Sequence, residues 1–173
     1  MAASVGLTPS VDRLLLKDSK QLTPPKRQLA FDHLVQMTPY IGVGIVSHAE
    51  IDHLNVLTAT LLAMKHAFFN ITIPPETQIR IQVDGTHLPS IEGIEMEAII
   101  RGDQVVPEIS AASIVAKVIR DRIMVSLDRT YPEYGFTHNK GYGTRLHFDS
   151  IFKKGRSPVH RKTFSISQQL RLF

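Results

Sequence analysis

The most regular pattern of apolar residues starts at Pro107 and predicts a long helix that is packed on two sides. At 100° per residue, one apolar side carries Ala112, Val115, Ala116, Ile119, Ile123 and Leu127, and the other carries Ile114, Val118 and Val125. Pro107 and Glu108 suit the first turn, because backbone amides have no helical partner there and negative charge is favoured. We expect the rest of the chain to be organised around this helix.

Shorter patterns predict further elements, mostly before this helix. β-branched and alternating runs predict strands over residues 2–7, 40–47, 79–83 and 96–100. Periodic apolar positions predict helices over residues 24–37, 49–69 and 144–154. The inward positions of the first of these helices are Ala30, Phe31, Leu34 and Val35. The second helix carries one apolar stripe, which we interpret as core, made of Leu54, Leu57, Leu61, Met64 and Phe68.

Composition indicates an ordinary globular protein. At 173 residues, with 43% hydrophobic and 21% charged positions, the chain suits a single domain over residues 1–173. It has no run of about 18 uninterrupted apolar residues and no N-terminal pattern like a secretory signal. We therefore expect a cytoplasmic monomer without a membrane partner. Because the sequence contains no cysteine, disulfides, thiolate zinc sites and thiol nucleophiles are excluded.

The net charge of +4 hides an uneven distribution along the chain. Residues 1–114 carry 8 Lys and Arg against 12 Asp and Glu, whereas residues 115–173 carry 12 against 4. An acidic part that can hold divalent cations, followed by a basic part, suits binding of a polyanion. Basic segments are also common as plain solvated surface, so this signal is weak when taken alone.

Two acidic residues follow neighbouring predicted strands. Asp84 ends the strand of residues 79–83, and Asp103 comes 19 residues later, after the strand of residues 96–100, in a predicted loop. Two carboxylates presented in this way make half of a two-metal phosphodiesterase site. The alternative for Asp84 is an ordinary Asp-Gly turn, which is a common use of this residue pair.

Polar residues suited to phosphate lie along the long helix and in a later loop. A strip of hydroxyls and cations runs between the apolar sides of the helix, consisting of Ser110, Ser113, Lys117 and Arg120. Tyr142 lies between two glycines beside Lys140, as expected of a platform on which nucleic acid stacks. A solvated helix face and a structural loop tyrosine are the alternatives. A histidine-based zinc site is disfavoured because no H-x-x-x-H or H-x-H pair occurs.

Several stretches together resemble the bacterial ribonuclease HII family. The longest is G-D followed by V-P-E-I-S-A-A-S-I-x-A-K-V-x-R-D over residues 102–121. Others are D-S-K-x-L at residues 18–22, K-G-Y-G-T at 140–144 and G-x-S-x-x-H-R-x-T-F at 155–164. The resemblance implies a ribonuclease H-like α/β fold: a mixed sheet of five strands with flanking helices and a small, basic, helical C-terminal region from about residue 130.

The resemblance also implies an activity and the residues that perform it. The expected reaction is endonucleolytic cleavage of RNA in RNA–DNA hybrids, and of single ribonucleotides within duplex DNA, with Mn²⁺ or Mg²⁺ at a two-metal site. Asp84 and Asp103 match family metal ligands, and Tyr142 matches the tyrosine that senses the RNA–DNA junction. The phosphate contacts are expected from Lys20, Ser110, Ser113, Lys117 and Lys140. Asp121 is expected to be structural.

One family motif has no counterpart in the 173 residues. The D-E-A-G-R-G motif, which provides the other two carboxylates on the first, central strand, does not occur. We therefore expect a domain without its first strand and with impaired or absent cleavage. A hybrid-binding remnant that does not cleave is the alternative function.

Overall fold

A computed structural model describes residues 1–164 and separates into two compact units. The first unit comprises Met1–Val46 and Val56–Val118, and the second comprises Ser47–Asn55 and the described residues from Ile119 to Phe164. The single domain expected from the sequence stays a prediction. The strands, in chain order, are β1 (Ala2–Val5), β2 (Ile41–Gly44), β3 (Arg80–Asp84) and β4 (Glu95–Ile99). The helices are α1 (Pro24–Met37), α2 (His48–Leu54), α3 (Val56–Phe69), α4 (Gly102–Val105), α5 (Pro107–Thr130), α6 (Phe136–Asn139) and α7 (Arg145–Lys154).

The strands of the first unit form two pairs. β1 is antiparallel to β2, with Val5 opposite Ile41, and β3 is parallel to β4, with Asp84 opposite Ile99. Each described strand is therefore hydrogen-bonded to a neighbour along one edge only. The α/β class and the mixed strand directions are confirmed, and in the described residues the four strands form two separate pairs.

The close contact between β2 and α3 depends on two glycines. A Cβ added to Gly44 would lie 1.9 Å from the carbonyl oxygen of Ala63, and one added to Gly42 would lie 2.0 Å from that of Ala67. Ala63 and Ala67 are fully buried on the α3 side of this contact. The strand and the helix can therefore approach so closely only because neither presents a large side chain there.

The leucine stripe of α3 is not the core that its periodicity predicts. The buried residues of α3 are Ala59, Ala63 and Ala67, whereas Leu57 is exposed. Met64 and Phe68 are half-buried and line an open groove of about 550 Å³, which we call the interstrand groove. Its walls are residues 2–7 and 79–84, and its lining also includes Thr60, Ile109, Ala112 and Ala116. The prediction was wrong because the small residues, and not the large ones, face the strands.

Two smaller predictions are also wrong. The helix expected over residues 49–69 is broken at Asn55, whose φ of 70° ends α2 before α3 starts. At the start of α2, Ser47 and Glu50 form a capping box. In α1, Ala30, Phe31 and Leu34 are buried as expected, but Val35 is 55% exposed because it lies on the solvent side.

The second unit has its own small core. Tyr134, Phe136 and Ile151 are buried together, and the Tyr134 hydroxyl donates to the carbonyl oxygen of Gly155 at 2.9 Å. The Asp52 carboxylate of α2 accepts hydrogen bonds from the Lys162 amide and from both the amide and the hydroxyl of Thr163. These bonds hold the last described residues against α2. Among the described residues, no helix has the length and apolar character needed to cross a membrane.

We expect Gly44→Ala to destabilise the first unit by about 3 kcal/mol or more, because the added methyl group would collide with backbone atoms that cannot move aside. Chemical denaturation followed by circular dichroism measures this loss. Ser4→Ala on the neighbouring strand is the control and should change the free energy of unfolding by under about 1 kcal/mol. Equal stability of Gly44→Ala and wild type would contradict the close packing described above.

Candidate active site and nucleic-acid interface

The parallel strands β3 and β4 end where the two candidate acids lie. Asp84 is the last residue of β3, and its Oδ1 accepts a hydrogen bond of 2.9 Å from the Gly102 amide at the start of α4. A Cβ on Gly102 would come within 2.4 Å of the Ile109 side chain, so a larger residue in this turn would require Ile109 to shift. The Gly102 amide thus holds the turn that carries the next residue, Asp103, against the end of β3.

Asp103 is in the first turn of the short helix α4, and not in a loop as the sequence suggested. It is 4% exposed, and its Oδ2 lies 3.3 Å from the Nζ of Lys20. The bond to Asp103 raises the pKa of Lys20 above its usual value, and the charges of Asp18 and Asp84 add to this effect. Lys20 therefore lies among three acidic residues, and its charge neutralises that of the buried Asp103.

The two predicted serines hold this arrangement in place. The Ser110 hydroxyl donates to the backbone oxygen of Asp103 at 2.6 Å, which ties α5 to α4. The hydroxyls of Ser113 and Ser19 lie 2.7 Å apart, which ties α5 to the loop that carries Lys20. Because these hydroxyls are already engaged within the protein, both serines position the site. Their expected direct contact with phosphate stays a prediction.

The loop before α1 contributes residues whose roles the sequence did not reveal. Asp18 is buried, and its Oδ1 accepts from the Lys20 amide at 2.9 Å. Arg27 donates to the carbonyl oxygens of Ser19 and Leu22 at 2.8 and 2.7 Å. These bonds hold the loop before and after Lys20 and fix the backbone from which its side chain extends. The D-S-K string was the available signal, but it does not say which residue points to which group.

The second unit holds the predicted tyrosine and its neighbours. Tyr142 is 55% exposed, and the Arg120 guanidinium lies over its ring at 4.7 Å from the centroid. Lys140 has a left-handed backbone, with φ of 50°, and its Nζ donates to the carbonyl oxygen of Thr137. Lys117, in the first unit, is half-buried on α5. An exposed aromatic ring with an arginine on one face suits stacking with a base or a sugar.

The donor atoms near Asp84 and Asp103 do not fit a pair of divalent metal ions. Mg²⁺ and Mn²⁺ are coordinated by oxygen atoms, and a metal pair uses several carboxylates to balance its charge. Within residues 1–164, no group of three or more His, Asp or Glu side chains is placed to hold an ion. Asp18, the third nearby acid, is turned into its own loop by the bond to the Lys20 amide. The described chain thus supplies only part of the ligand set that its motifs imply.

A chain of partly buried hydrogen bonds links two histidines in the second unit. The Ser157 amide donates to Nδ1 of His160 at 3.0 Å, so the proton of a neutral His160 is on Nε2. That atom lies 3.4 Å from Nε2 of His147, whose Nδ1 lies 3.2 Å from the carbonyl oxygen of Tyr134.

This arrangement makes the second unit sensitive to acid. Burial, with a contribution from His147, lowers the pKa of His160 from 6.5 to about 4. Because the unfolded chain binds a proton near pH 6.5 and the folded chain does not, the stability present above that pH is lost as the pH falls from 6.5 towards 4.

We expect wild type to lose about 1–3 kcal/mol of unfolding free energy between pH 7 and pH 4 through this histidine, after allowance for screening of a partly exposed ring. His160→Gln should show a flatter dependence on pH, whereas the exposed His53→Gln should follow wild type. Midpoints of chemical denaturation, measured for the three proteins between pH 7 and pH 4, test this expectation. Parallel curves for wild type and His160→Gln would exclude His160 as the responsible group.

Comparisons with known sequences are consistent with the motifs. The family model described as Ribonuclease HII matches residues 2–167. The chain is 45% identical over 164 residues to a ribonuclease HII of Shewanella pealeana, and the match covers 95% of this chain and 79% of the relative. It is 42% identical over 173 residues to a ribonuclease HII of Coxiella burnetii, with 100% of this chain and 84% of the relative covered.

Comparisons with solved structures concern the fold. The crystal structure of ribonuclease H2 from Pyrococcus horikoshii superposes with a TM-score of 0.69 at 27% identity, covering 92% of this chain and 82% of that one. A ribonuclease HII from Archaeoglobus fulgidus, solved in complex with PCNA, gives a TM-score of 0.67 at 21% identity and covers 89% and 81%. The ribonuclease H-like fold expected from the sequence is thereby confirmed.

Proposed function

Because the chain belongs to the ribonuclease HII family, we propose that it acts on the RNA strand of RNA–DNA hybrids and on single ribonucleotides within duplex DNA. The family is one of ribonuclease H-type endonucleases, which act on nucleic acid containing RNA and depend on divalent metal ions. The observation that best supports the proposal is the arrangement of Asp84, Asp103 and Lys20 at the ends of two parallel strands. Either Mn²⁺ or Mg²⁺ suits two carboxylates.

Each residue of this arrangement has a proposed role. Asp84 and Asp103 provide anionic oxygen atoms for metal ions, and Lys20, whose side chain is mostly exposed, binds a substrate phosphate when it leaves Asp103. Lys117 adds positive charge on the same helix as the two positioning serines. Because the described ligand set is incomplete, these roles are proposed for a site to which further carboxylates have been added.

Recognition of the substrate is proposed for the basic second unit. RNA differs from DNA by its 2′-hydroxyl, which is displayed in a wide minor groove. An exposed ring such as Tyr142 can pack against a sugar or a base, while Lys140 and the neighbouring cations bind phosphates. The asymmetry of charge along the chain supports this division, since 12 of the 20 Lys and Arg residues follow residue 114.

A second candidate function is hybrid binding without cleavage. It is favoured by one observation, the absence of a metal-binding group of three or more side chains from residues 1–164. Both candidates predict binding to hybrids in EDTA, and only the first predicts cleavage. We expect the 173-residue chain to bind hybrids without measurable cleavage, and a chain extended at its N-terminus by a strand ending in D-E-A-G-R-G to cleave in Mn²⁺.

The first test compares both chains at matched concentration on a duplex with one embedded ribonucleotide. Cleavage by the shorter chain within about tenfold of the longer one, or about 1.4 kcal/mol in barrier, would show that the two described carboxylates suffice. Failure of both chains to distinguish a hybrid from plain duplex DNA in binding would contradict the proposed function itself.

In the extended chain, we expect Asp84→Asn and Asp103→Asn each to lower cleavage by about 100-fold or more, which corresponds to about 2.7 kcal/mol. Each change removes a negative charge where metal ions are expected and should leave hybrid binding in EDTA nearly unchanged. Asp121→Asn is the matched control, because Asp121 lies on α5 beside Arg120 and should affect stability more than turnover. Turnover at the wild-type rate by either site variant would remove that residue from the site.

Tyr142→Ala is expected to reduce discrimination between a hybrid and plain duplex DNA, because stacking contributes about 1–3 kcal/mol per contact. Lys140→Asn should instead weaken both complexes alike and lower the slope of log affinity against log salt by about 1. Asparagine is chosen because it tolerates the left-handed backbone of Lys140. Fluorescence anisotropy over a range of salt concentrations separates the two effects. Equal losses on both duplexes with Tyr142→Ala would contradict its role at the junction.

A further inference from the structure

Arg120, the last residue of the polar strip on α5, lies against the exposed Tyr142 ring. Its guanidinium carbon is 4.7 Å from the ring centroid, a distance at which an aromatic face attracts a cation. We infer that Arg120 is a positioning residue: it holds one face of the Tyr142 ring, so that the other face meets the substrate and hybrids are distinguished from plain duplex DNA. The inference rests on the recognition role proposed for Tyr142.

The backbone of the Tyr142 loop is held independently of the ring. Asn139 is buried, and its side chain donates to the Tyr134 carbonyl oxygen and accepts from the Gly141 amide, both at 2.7 Å. The Tyr142 amide donates to the Asn139 carbonyl oxygen at 2.9 Å. These bonds join the loop to the core of the second unit. They fix the backbone and leave the rotamer of an exposed ring to be decided by what the side chain contacts.

The loop and α5 approach each other closely beside Arg120. Gly141 has a φ of 74°, and a Cβ on it would lie 2.9 Å from Cε of Met124 and 3.8 Å from Nη2 of Arg120. A side chain at this position would strain the backbone, require Met124 to shift and crowd the guanidinium. Glycine before Tyr142 therefore favours the contact between the guanidinium and the ring.

The surroundings of Arg120 favour this role over direct binding of a phosphate. Within residues 1–164, its Nη1 atom is buried without a hydrogen-bond acceptor, and Oδ1 of Asp121 is 3.9 Å away. A buried donor without an acceptor is unfavourable, and attraction to the electron-rich face of the Tyr142 ring offsets this cost. Bidentate binding of a phosphate needs two accessible nitrogen atoms, and Nη1 is not accessible.

A ring that is already held loses less freedom when it binds. Tyr142 is 55% exposed, so without a neighbour its side chain would have to be immobilised by the substrate. With Arg120 over one face, the exposed surface of the ring is its other face and its edges, where a sugar or a base can pack. Because the ring is proposed to favour hybrids, restraint of the ring raises discrimination as well as affinity.

The first experiment measures motion of the ring without nucleic acid. The chain contains no tryptophan, so Tyr142→Trp introduces a single indole whose rotation is followed by time-resolved fluorescence anisotropy. We expect Arg120→Lys in this protein to raise the amplitude of fast indole rotation about twofold or more, because an ammonium lacks the planar surface that stacks on a ring. Arg129→Lys, at an exposed position of α5, is the matched control and should leave the amplitude unchanged. An unchanged amplitude in Arg120→Lys would overturn the inference.

The second experiment measures binding of the 173-residue protein to a hybrid and to plain duplex DNA in EDTA. We expect Arg120→Lys to lower the ratio of the two affinities about three- to tenfold, as when a side chain must be ordered on binding. The slope of log affinity against log salt should stay as in wild type, because the charge is kept. Lysine would preserve a simple phosphate contact. Wild-type discrimination by Arg120→Lys would therefore contradict the positioning role.

A double-mutant cycle with Tyr142→Ala separates action through the ring from an independent contact. If Arg120 acts through the ring, Arg120→Lys should have no further effect on discrimination once the ring is absent. Additive losses would show a separate contact and overturn the inference. Circular dichroism and thermal melts identify any variant that fails to fold. Arg120→Gln, which removes the cation and keeps a planar polar group, is the second variant and should also free the indole.

Failure of this inference differs from failure of the proposed function. Equal binding of hybrid and plain duplex DNA by wild type would contradict the proposed function, and the anisotropy measurement would still decide whether Arg120 restrains the ring. Discrimination by wild type that persists in Arg120→Lys would contradict the inference alone.

Discussion

The hydrogen bond from the Gly102 amide to Asp84 is the constraint on which the candidate site depends. It joins the end of β3 to the turn after β4, so that the positions of both acids are fixed by one parallel strand pair. A Cβ at position 102 would come within 2.4 Å of the Ile109 side chain of α5, which favours glycine as the residue that makes this bond. The position of the long helix therefore determines which residue can stand next to the buried Asp103. The Gly102 amide therefore links the packing of α5 to the positions of the two acidic residues.

The negative charge of Asp103 is balanced by a neighbouring side chain, Lys20, because Asp103 is buried away from solvent. A buried carboxylate is unfavourable unless it is paired, and Lys20 provides the pairing for Asp103 from a loop that Ser19, Asp18 and Arg27 hold in place. The same loop is joined to α5 through Ser113. The Lys20 side chain is 78% exposed, so it can move although its charge pairs with Asp103.

The sequence predicted helices better than it predicted the residues that make contact. The bounds of α1 follow from the proline at its start and agree with the structure at both ends, because local signals decide them. The core face of α3 could not be predicted in this way. Periodicity marks large apolar residues, whereas the glycines of β2 select the alanines, and that preference is set by a strand distant in sequence. The break at Asn55 was missed for a similar reason, since asparagine in a left-handed conformation resembles a surface helix residue in the sequence.

At the site, the motifs predicted Asp84, Asp103 and Lys20, which lie together in the structure, but they did not predict the bonds that Ser110 and Ser113 make within the protein. Hydroxyls along a helix can donate to a phosphate or to an acceptor within the protein. The three-dimensional positions of Asp103 and Ser19 show that the Ser110 and Ser113 hydroxyls are hydrogen-bonded within the protein. The histidine pair left no signal in spacing, because His147 and His160 meet through a loop that folds back on α7.

The bonds between Asp52 and residues 162 and 163 affect the order in which the two units can be completed during synthesis. The second unit takes residues 47–55 from the first third of the chain and the rest from beyond residue 118, and these bonds span 110 and 111 residues. Synthesis proceeds from the N-terminus, so α2 leaves the ribosome long before its partners exist. The first unit can bury its helices as soon as α5 has emerged. The second unit remains open until residues 162 and 163 have been synthesised, so it is completed after the first unit.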